Sequence, residues 1–176
     1  KASAIYGGED YAMTVGGNEM AGYHTGYGSL VGAAVGARHS HLCNGGYAID
    51  QSMKELNPEK LVDSLFKEEK ERCMLNSLVI CLFARKVYDR PTIIAALNSI
   101  GRPVDDAELT AIGERIYRTK LRIKQKLGFD QTAVKLPKRF FKTLSATGQL
   151  DEQVANDMIK MYHARTEALM AMPEEV

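Results

Sequence analysis

Eleven of the fifteen glycines fall between residues 7 and 46, and that crowding constrains the fold more than any other feature of the chain. A stretch this poor in large side chains cannot build a core by itself. Frequent glycine instead lets backbone approach backbone, or a ligand, at short range. Within it only Ser29 to Ala37, dominated by small residues, reads as a helix, one that packs tightly against its neighbours. The front of the chain is therefore expected to be loop-rich and to lean on other parts of the protein.

The character changes near residue 55. Asn57-Pro58-Glu59 supplies an N-cap, a proline at the first helical position and an early acid. Leu61 and Leu65, then Leu75, Leu78, Val79, Leu82 and Phe83, keep helical spacing to about Val87, as one long helix or as two broken near Arg72. Pro91 opens a short helix from Thr92 to Ser99, closed by Gly101. Asp105 and Glu108 begin a long one with Leu109, Ile112, Ile116, Ile123 and Leu127 as its buried stripe and Gly128 as its end. A short helical piece is expected from Arg139 to Leu144. A last helix starts at Asp151, with Val154, Met158, Met161, Tyr162 and Leu169 on one side. No sheet is required. The expected fold is mainly α: a bundle of about five or six helices behind a glycine-rich segment, with 1–55 forming that segment and 56–176 the helical domain.

Composition narrows the function classes. A net charge of +1 gives no global attraction to nucleic acid or membrane. No apolar run approaches the roughly 18 residues that span a bilayer. Three cysteines, Cys43, Cys73 and Cys81, are too few and too oddly spaced for a disulfide framework. A soluble cytoplasmic protein is expected, and the opening on Lys1 suits a piece of a longer one.

The run Cys73-Met-Leu-Asn-Ser-Leu-Val-Ile-Cys81-Leu-Phe-Ala-Arg85 carries the sharpest chemical signal. By pattern it is a buried helix, in which a lone cysteine among Leu, Val, Ile and Phe is an inert core residue. On a straight helix Asn76 and Cys81 would stand about 140° apart, so they serve one site only if the helix breaks between them or the ligand is large. The same run resembles the Asp-x-x-Gly-Leu-Cys element of the tungsten- and molybdenum-dependent aldehyde ferredoxin oxidoreductase family, with Asn76 in place of the aspartate and Val79 where glycine is usual. Gly113-Glu-Arg-Ile-Tyr117, Lys126-Leu-Gly-Phe129 and Leu136-Pro-Lys-Arg139-Phe140 resemble further landmarks of that family, in order. Ala133-Val134-Lys135 stands where the family has Asp-Asp. Gly36-Ala-Arg-His-Ser-His41-Leu resembles its segment ending in Cys-His-Leu, with Ser40 replacing the cysteine, and Gly17-Asn-Glu-Met20 resembles its Gly-x-Glu-Leu.

The resemblance implies the C-terminal α-helical part of an enzyme that oxidises an aldehyde or related carbonyl with water to the acid. Electrons would leave a tungsten or molybdenum bis-pyranopterin centre through a 4Fe-4S cluster to ferredoxin. It makes Cys81 the fourth cluster ligand, Asn76 a pterin contact, and His41 a proton donor or acceptor beside the substrate, a role suited to an imidazole. Cys43 and Cys73 do not complete a cluster ligand set. The chain alone is therefore expected to hold no metal and to be inactive without the N-terminal pterin-binding domain of the same enzyme. An exposed apolar patch is expected around the glycine-rich front.

Arg115, Arg118, Lys120, Arg122, Lys124 and Lys126 crowd one helix. As a solvated face they do nothing, and as a steering field they suit an acidic ferredoxin. The competing reading is a stand-alone helical interaction module that binds nucleic acid through this basic helix, 115–126, although only Phe140 and Phe141 supply aromatic support.

Overall fold

The computed structural model describes residues 2–15 and 18–173; Gly16 and Gly17 of the glycine-rich front lie outside them, as does Lys1. The front carries more helix than the single short one expected: α1 (Ala2–Tyr6), α2 (Tyr27–Val35), α3 (His41–Asn44) and α4 (Gly46–Ser52). Two two-residue strands, β1 (Thr14–Val15) and β2 (Asn18–Glu19), pair antiparallel, an element the sequence does not announce. Behind them follow α5 (Pro58–Ser77), α6 (Arg90–Ser99), α7 (Asp106–Lys126), the short α8 (Arg139–Lys142) and α9 (Glu152–Ala171). The protein is mainly α, as its periodicity requires.

Side-chain caps start the four long helices. Asn57, Asp89, Asp105 and Asp151 accept from the backbone amides of Lys60, Thr92, Glu108 and Val154 at 2.8–3.0 Å. Each satisfies one donor that a first turn leaves without a helical partner. Pro58 and Pro91 sit just inside their helices, where no amide is missed.

Three helices end in one and the same way. In α6, the Gly101 amide donates to Asn98 and the Arg102 amide to Leu97; in α7, Gly128 donates to Gln125 and Phe129 to Lys124. Both glycines take a left-handed φ, +76° and +86°. Helix α5 repeats the motif at Ser77, with Val79 donating to Asn76 and Ile80 to Leu75. Val79 holds φ at +58°, the only left-handed non-glycine among the described residues. The run from Cys73 to Arg85 is therefore not the continuous buried helix its spacing suggests. It stops after Ser77, turns at Val79, and resumes as a single 3-10 turn over Leu82–Ala84. A β-branched residue in this conformation is strained by about 1–2 kcal/mol, and Val79 is 92% exposed, so its side chain contributes little in return. Replacing Val79 with glycine is expected to stabilise the chain by about 1 kcal/mol after the entropy of glycine is allowed for. A urea midpoint that moves down instead would show that Val79 makes a compensating contact.

The core crosses the chain. Leu30, Val31 and Val35 of α2 are fully buried against Leu61, Val62 and Leu65 of α5 and Met158 and Tyr162 of α9. A second cluster joins Met74 and Leu75 of α5 to Ile93 of α6 and Leu109 of α7, with Ile80 and Leu82 against it. On α7 the buried line is Leu109, Gly113, Tyr117 and Leu121, not the isoleucine stripe expected; Ile123 and Leu127 are exposed. Gly113 explains the rotation. A Cβ there would lie 2.6 Å from the Lys70 carbonyl oxygen, so glycine lets α7 lie directly on the backbone of α5 and turns this line inward. On α9 the buried side is Ala155, Met158, Ile159, Tyr162, Thr166 and Leu169, while Val154 and Met161 are half-buried.

Candidate functional site

His41 opens α3, where the Ser40 hydroxyl accepts from the Leu42 amide at 3.3 Å and sets the turn. Its carbonyl oxygen is held by Arg72, whose Nη1 donates at 2.9 Å. Arg72 is only 4% exposed and is itself fixed by Glu68, one turn back on α5, at 2.8 Å. Asn76 follows one turn further along the same helix, a rise of roughly 6 Å. The His41 backbone is thus tied to α5 just before Asn76. The break at Val79 takes Cys81 out of α5, so the roughly 140° of a straight helix does not apply to the pair. Asn76 and Cys81 are both exposed rather than buried in a core. Phe83 and Val87 beside them are exposed too, as are Ile5, Tyr6 and Tyr11 at the front.

The imidazole of His41 lies 4.7 Å from the Tyr23 ring and lines a pocket of about 440 Å³ with Tyr23, Ser29, His39 and Asn44. His39 reaches the same pocket but is tied down on both sides: Nδ1 lies 3.1 Å from the Ala33 carbonyl and Nε2 3.0 Å from that of Glu19. It pins the hairpin to α2 and is structural. The pocket wall formed by α2 depends on Asp50 of α4. Its buried carboxylate accepts from the Gly28 and Ser29 amides at 2.7 and 2.9 Å and from the Thr25 hydroxyl at 2.7 Å. That carboxylate caps the first turn of α2 from another element, where the helix dipole also favours it.

Behind α2 lies a second polar group that the sequence conceals. Leu61, Leu65, Glu69 and Cys73 recur every four residues, so Glu69 falls on the buried face of α5. One carboxylate oxygen accepts from the Ala37 amide at 3.1 Å; the other is buried with no donor in bonding geometry among the described residues. Tyr117 and Tyr162, whose hydroxyls bond each other, pack nearby. Burial outweighs their help and that of Lys124, and pushes the Glu69 carboxyl from 4.5 up to about 7. Burial also raises both tyrosines well above their ordinary value, with the Glu69 charge adding to it. It lowers Lys124 to about 8. Cys73 shares the region; burial raises its thiol against the pull of Lys120, whose Nζ is 3.4 Å from the sulfur.

These contacts change the reading of the basic helix. Arg118 donates to the Met172 and Pro173 carbonyls, Lys120 to Cys73, and Lys124 to the Gly36 carbonyl while lying over the Phe129 ring. Arg118, Lys120 and Lys124 thus serve internal contacts rather than a solvated face. Among the described residues no three His, Cys, Asp or Glu side chains come together to hold a metal ion, and no helix is long and apolar enough to cross a membrane.

The profile described as "Aldehyde ferredoxin oxidoreductase, domains 2 & 3" matches residues 1–167. No curated protein and no solved structure matches the chain.

Proposed function

The chain belongs to the aldehyde ferredoxin oxidoreductase family, and from that premise we propose that it is the part of such an enzyme that carries the substrate-side acid–base group and one cluster ligand. In this reading residues 1–55 form the active-site face and residues 56–176 the helical body. The observation that supports it best is Arg72, which ties His41 to α5 one turn before Asn76, with Cys81 just past the helix end. Sequence segments 35 residues apart are brought to one end of one helix.

The residues fit the cofactors the family implies. Cys81 offers an exposed thiol, as a single cluster ligand requires, and the three remaining ligands come from another part of the enzyme. Asn76, exposed in the last turn of α5, offers both a donor and an acceptor to a pterin edge. When bound, the tungsten or molybdenum bis-pyranopterin centre and the 4Fe-4S cluster supply two-electron oxidation of the carbonyl carbon and delivery of electrons to ferredoxin. This chain binds and orients the carbonyl in the pocket beside Tyr23, and His41 takes up or returns the proton exchanged with the water that becomes part of the acid. The exposed apolar side chains at the front and around Cys81 suit burial against the N-terminal domain of the same enzyme. A cytoplasmic location accords with an exposed thiol in that role.

Metal analysis and mutation of the full-length enzyme, purified without oxygen, test this reading. Iron together with tungsten or molybdenum is expected, and His41→Ala should lose about 10²- to 10⁴-fold in turnover of aldehyde with its metal content intact. A metal-free protein, or a His41→Ala variant with full activity, would sink it.

A further inference from the structure

We infer that Asn44 is a substrate-binding residue whose Nδ2 donates a hydrogen bond to the carbonyl oxygen of the aldehyde, and afterwards to an oxygen of the carboxylate product. The inference rests on the reading of the pocket given above and adds to it the group that fixes the ligand.

The amide orientation follows from its surroundings. Asn44 closes the one-turn helix α3 and is 1% exposed. Its Oδ1 accepts from the Gly46 amide at 2.9 Å. Since that partner is a donor, the oxygen must face it and the NH₂ group must face away. Nδ2 is buried and meets no acceptor among the described residues, a state that costs about 1–3 kcal/mol unless a ligand relieves it. The residue lines the same pocket as His41 and Tyr23. His41 and Asn44 stand three residues apart on a helical turn, which places them on one side with Cβ atoms roughly 5–6 Å apart.

Neighbouring helix α2 holds the amide in place. A Cβ at Gly32 would lie 2.9 Å from Asn44 Cγ, so glycine there leaves room for the carboxamide and the helix backbone closes over it. The side chain cannot swing out to find water without losing the Gly46 bond. Asn44, with its unpaired donor, and His41 both line this pocket with Tyr23, and a planar group with an oxygen acceptor would serve the donor and the imidazole together. A carbonyl and a carboxylate both meet that description, and an ammonium or guanidinium does not.

The test uses anaerobically purified full-length holoenzyme with acetaldehyde or benzaldehyde, whichever is turned over faster, and the matching acetate or benzoate as product inhibitor. Asn44→Asp keeps the shape and the acceptor for Gly46 but replaces the donor with an oxygen. Asn44→Ala removes the donor without adding charge, and it serves if the aspartate variant does not fold by its melting curve and metal content. Either variant is expected to raise KM at least 10-fold, with a smaller change in kcat, and to weaken inhibition by the carboxylate at least 10-fold. Unchanged KM and inhibition in a folded variant would overturn the inference while leaving the role of His41 standing, since His41→Ala would still show its large loss of turnover. Absence of carboxylate inhibition in the wild type would overturn it as well. Turnover of neither aldehyde, or full activity in His41→Ala, would remove the pocket reading and this inference together.

Discussion

Asp50→Ala is expected to destabilise the chain by about 3 kcal/mol, because the lost carboxylate leaves the buried Gly28 and Ser29 amides without an acceptor and leaves the Thr25 hydroxyl only the Ser29 hydroxyl as partner. Thr25, Ser29 and Asp50 are all buried, so water cannot simply replace the missing oxygen atoms without opening the junction between α2 and α4. Asp50→Asn retains one acceptor and should cost about half as much. The check is urea denaturation at constant slope, where a midpoint shift worth less than about 1 kcal/mol would mean that the donors find other partners. The loss also reaches the pocket, because Ser29 lies in the capped first turn and also in the pocket wall.

Glu69 should make the protein less stable at pH 8 than at pH 5, opposite to the trend of ordinary salt-bridged carboxylates. Its folded value is raised, to about 7 from 4.5. Below pH 4.5 both the folded and the unfolded state carry the proton, and the group is neutral in effect. Between 4.5 and 7 the unfolded chain ionises while the folded one does not, so stability falls by about 1.4 kcal/mol per pH unit. Above 7 the loss levels off at about 3 kcal/mol. Lys124 acts in a different window: its folded value is lowered to about 8, so stability rises with pH only above that point. Glu69→Gln keeps the shape and should flatten the slope between pH 5 and 7 and raise stability at pH 8. Parallel pH profiles for the variant and the parent, from chemical denaturation, would show that the carboxylate is not held as described.

Much of this architecture was legible in the sequence, where local chemistry announces it. Asn57, Asp105 and Asp151 are caps by residue type and position, and all three make the expected bond. Gly101 and Gly128 end their helices as glycine does. The end of α5 was not legible because Val79 is not a residue that signals a left-handed turn; the resemblance to a glycine-bearing element was the only hint. The buried line of α7 was missed because Ile112, Ile116 and Ile123 outweigh a glycine in any apolar count, yet Gly113 sets the approach to Lys70. Of the site, His41 was visible through resemblance, and the structure adds the Arg72 tie and the pocket. Asn44, Asp50 and Glu69 were invisible for a shared reason. A polar residue in an apolar setting reads as surface until the third dimension shows what encloses it.

The left-handed turn at Val79 also bears on inheritance. What a related chain would have to transmit at this position is a handedness of the backbone, not a particular letter. Glycine is the easiest carrier of that handedness, but the six-residue hydrogen-bond pattern around it, with Leu75 and Ile80 closing the loop, suffices to hold a residue that dislikes it. Comparison by letters therefore scores the position as lost, whereas comparison by torsion scores it as kept. Distant members of such a family are then better sought by where their helices stop than by what stops them.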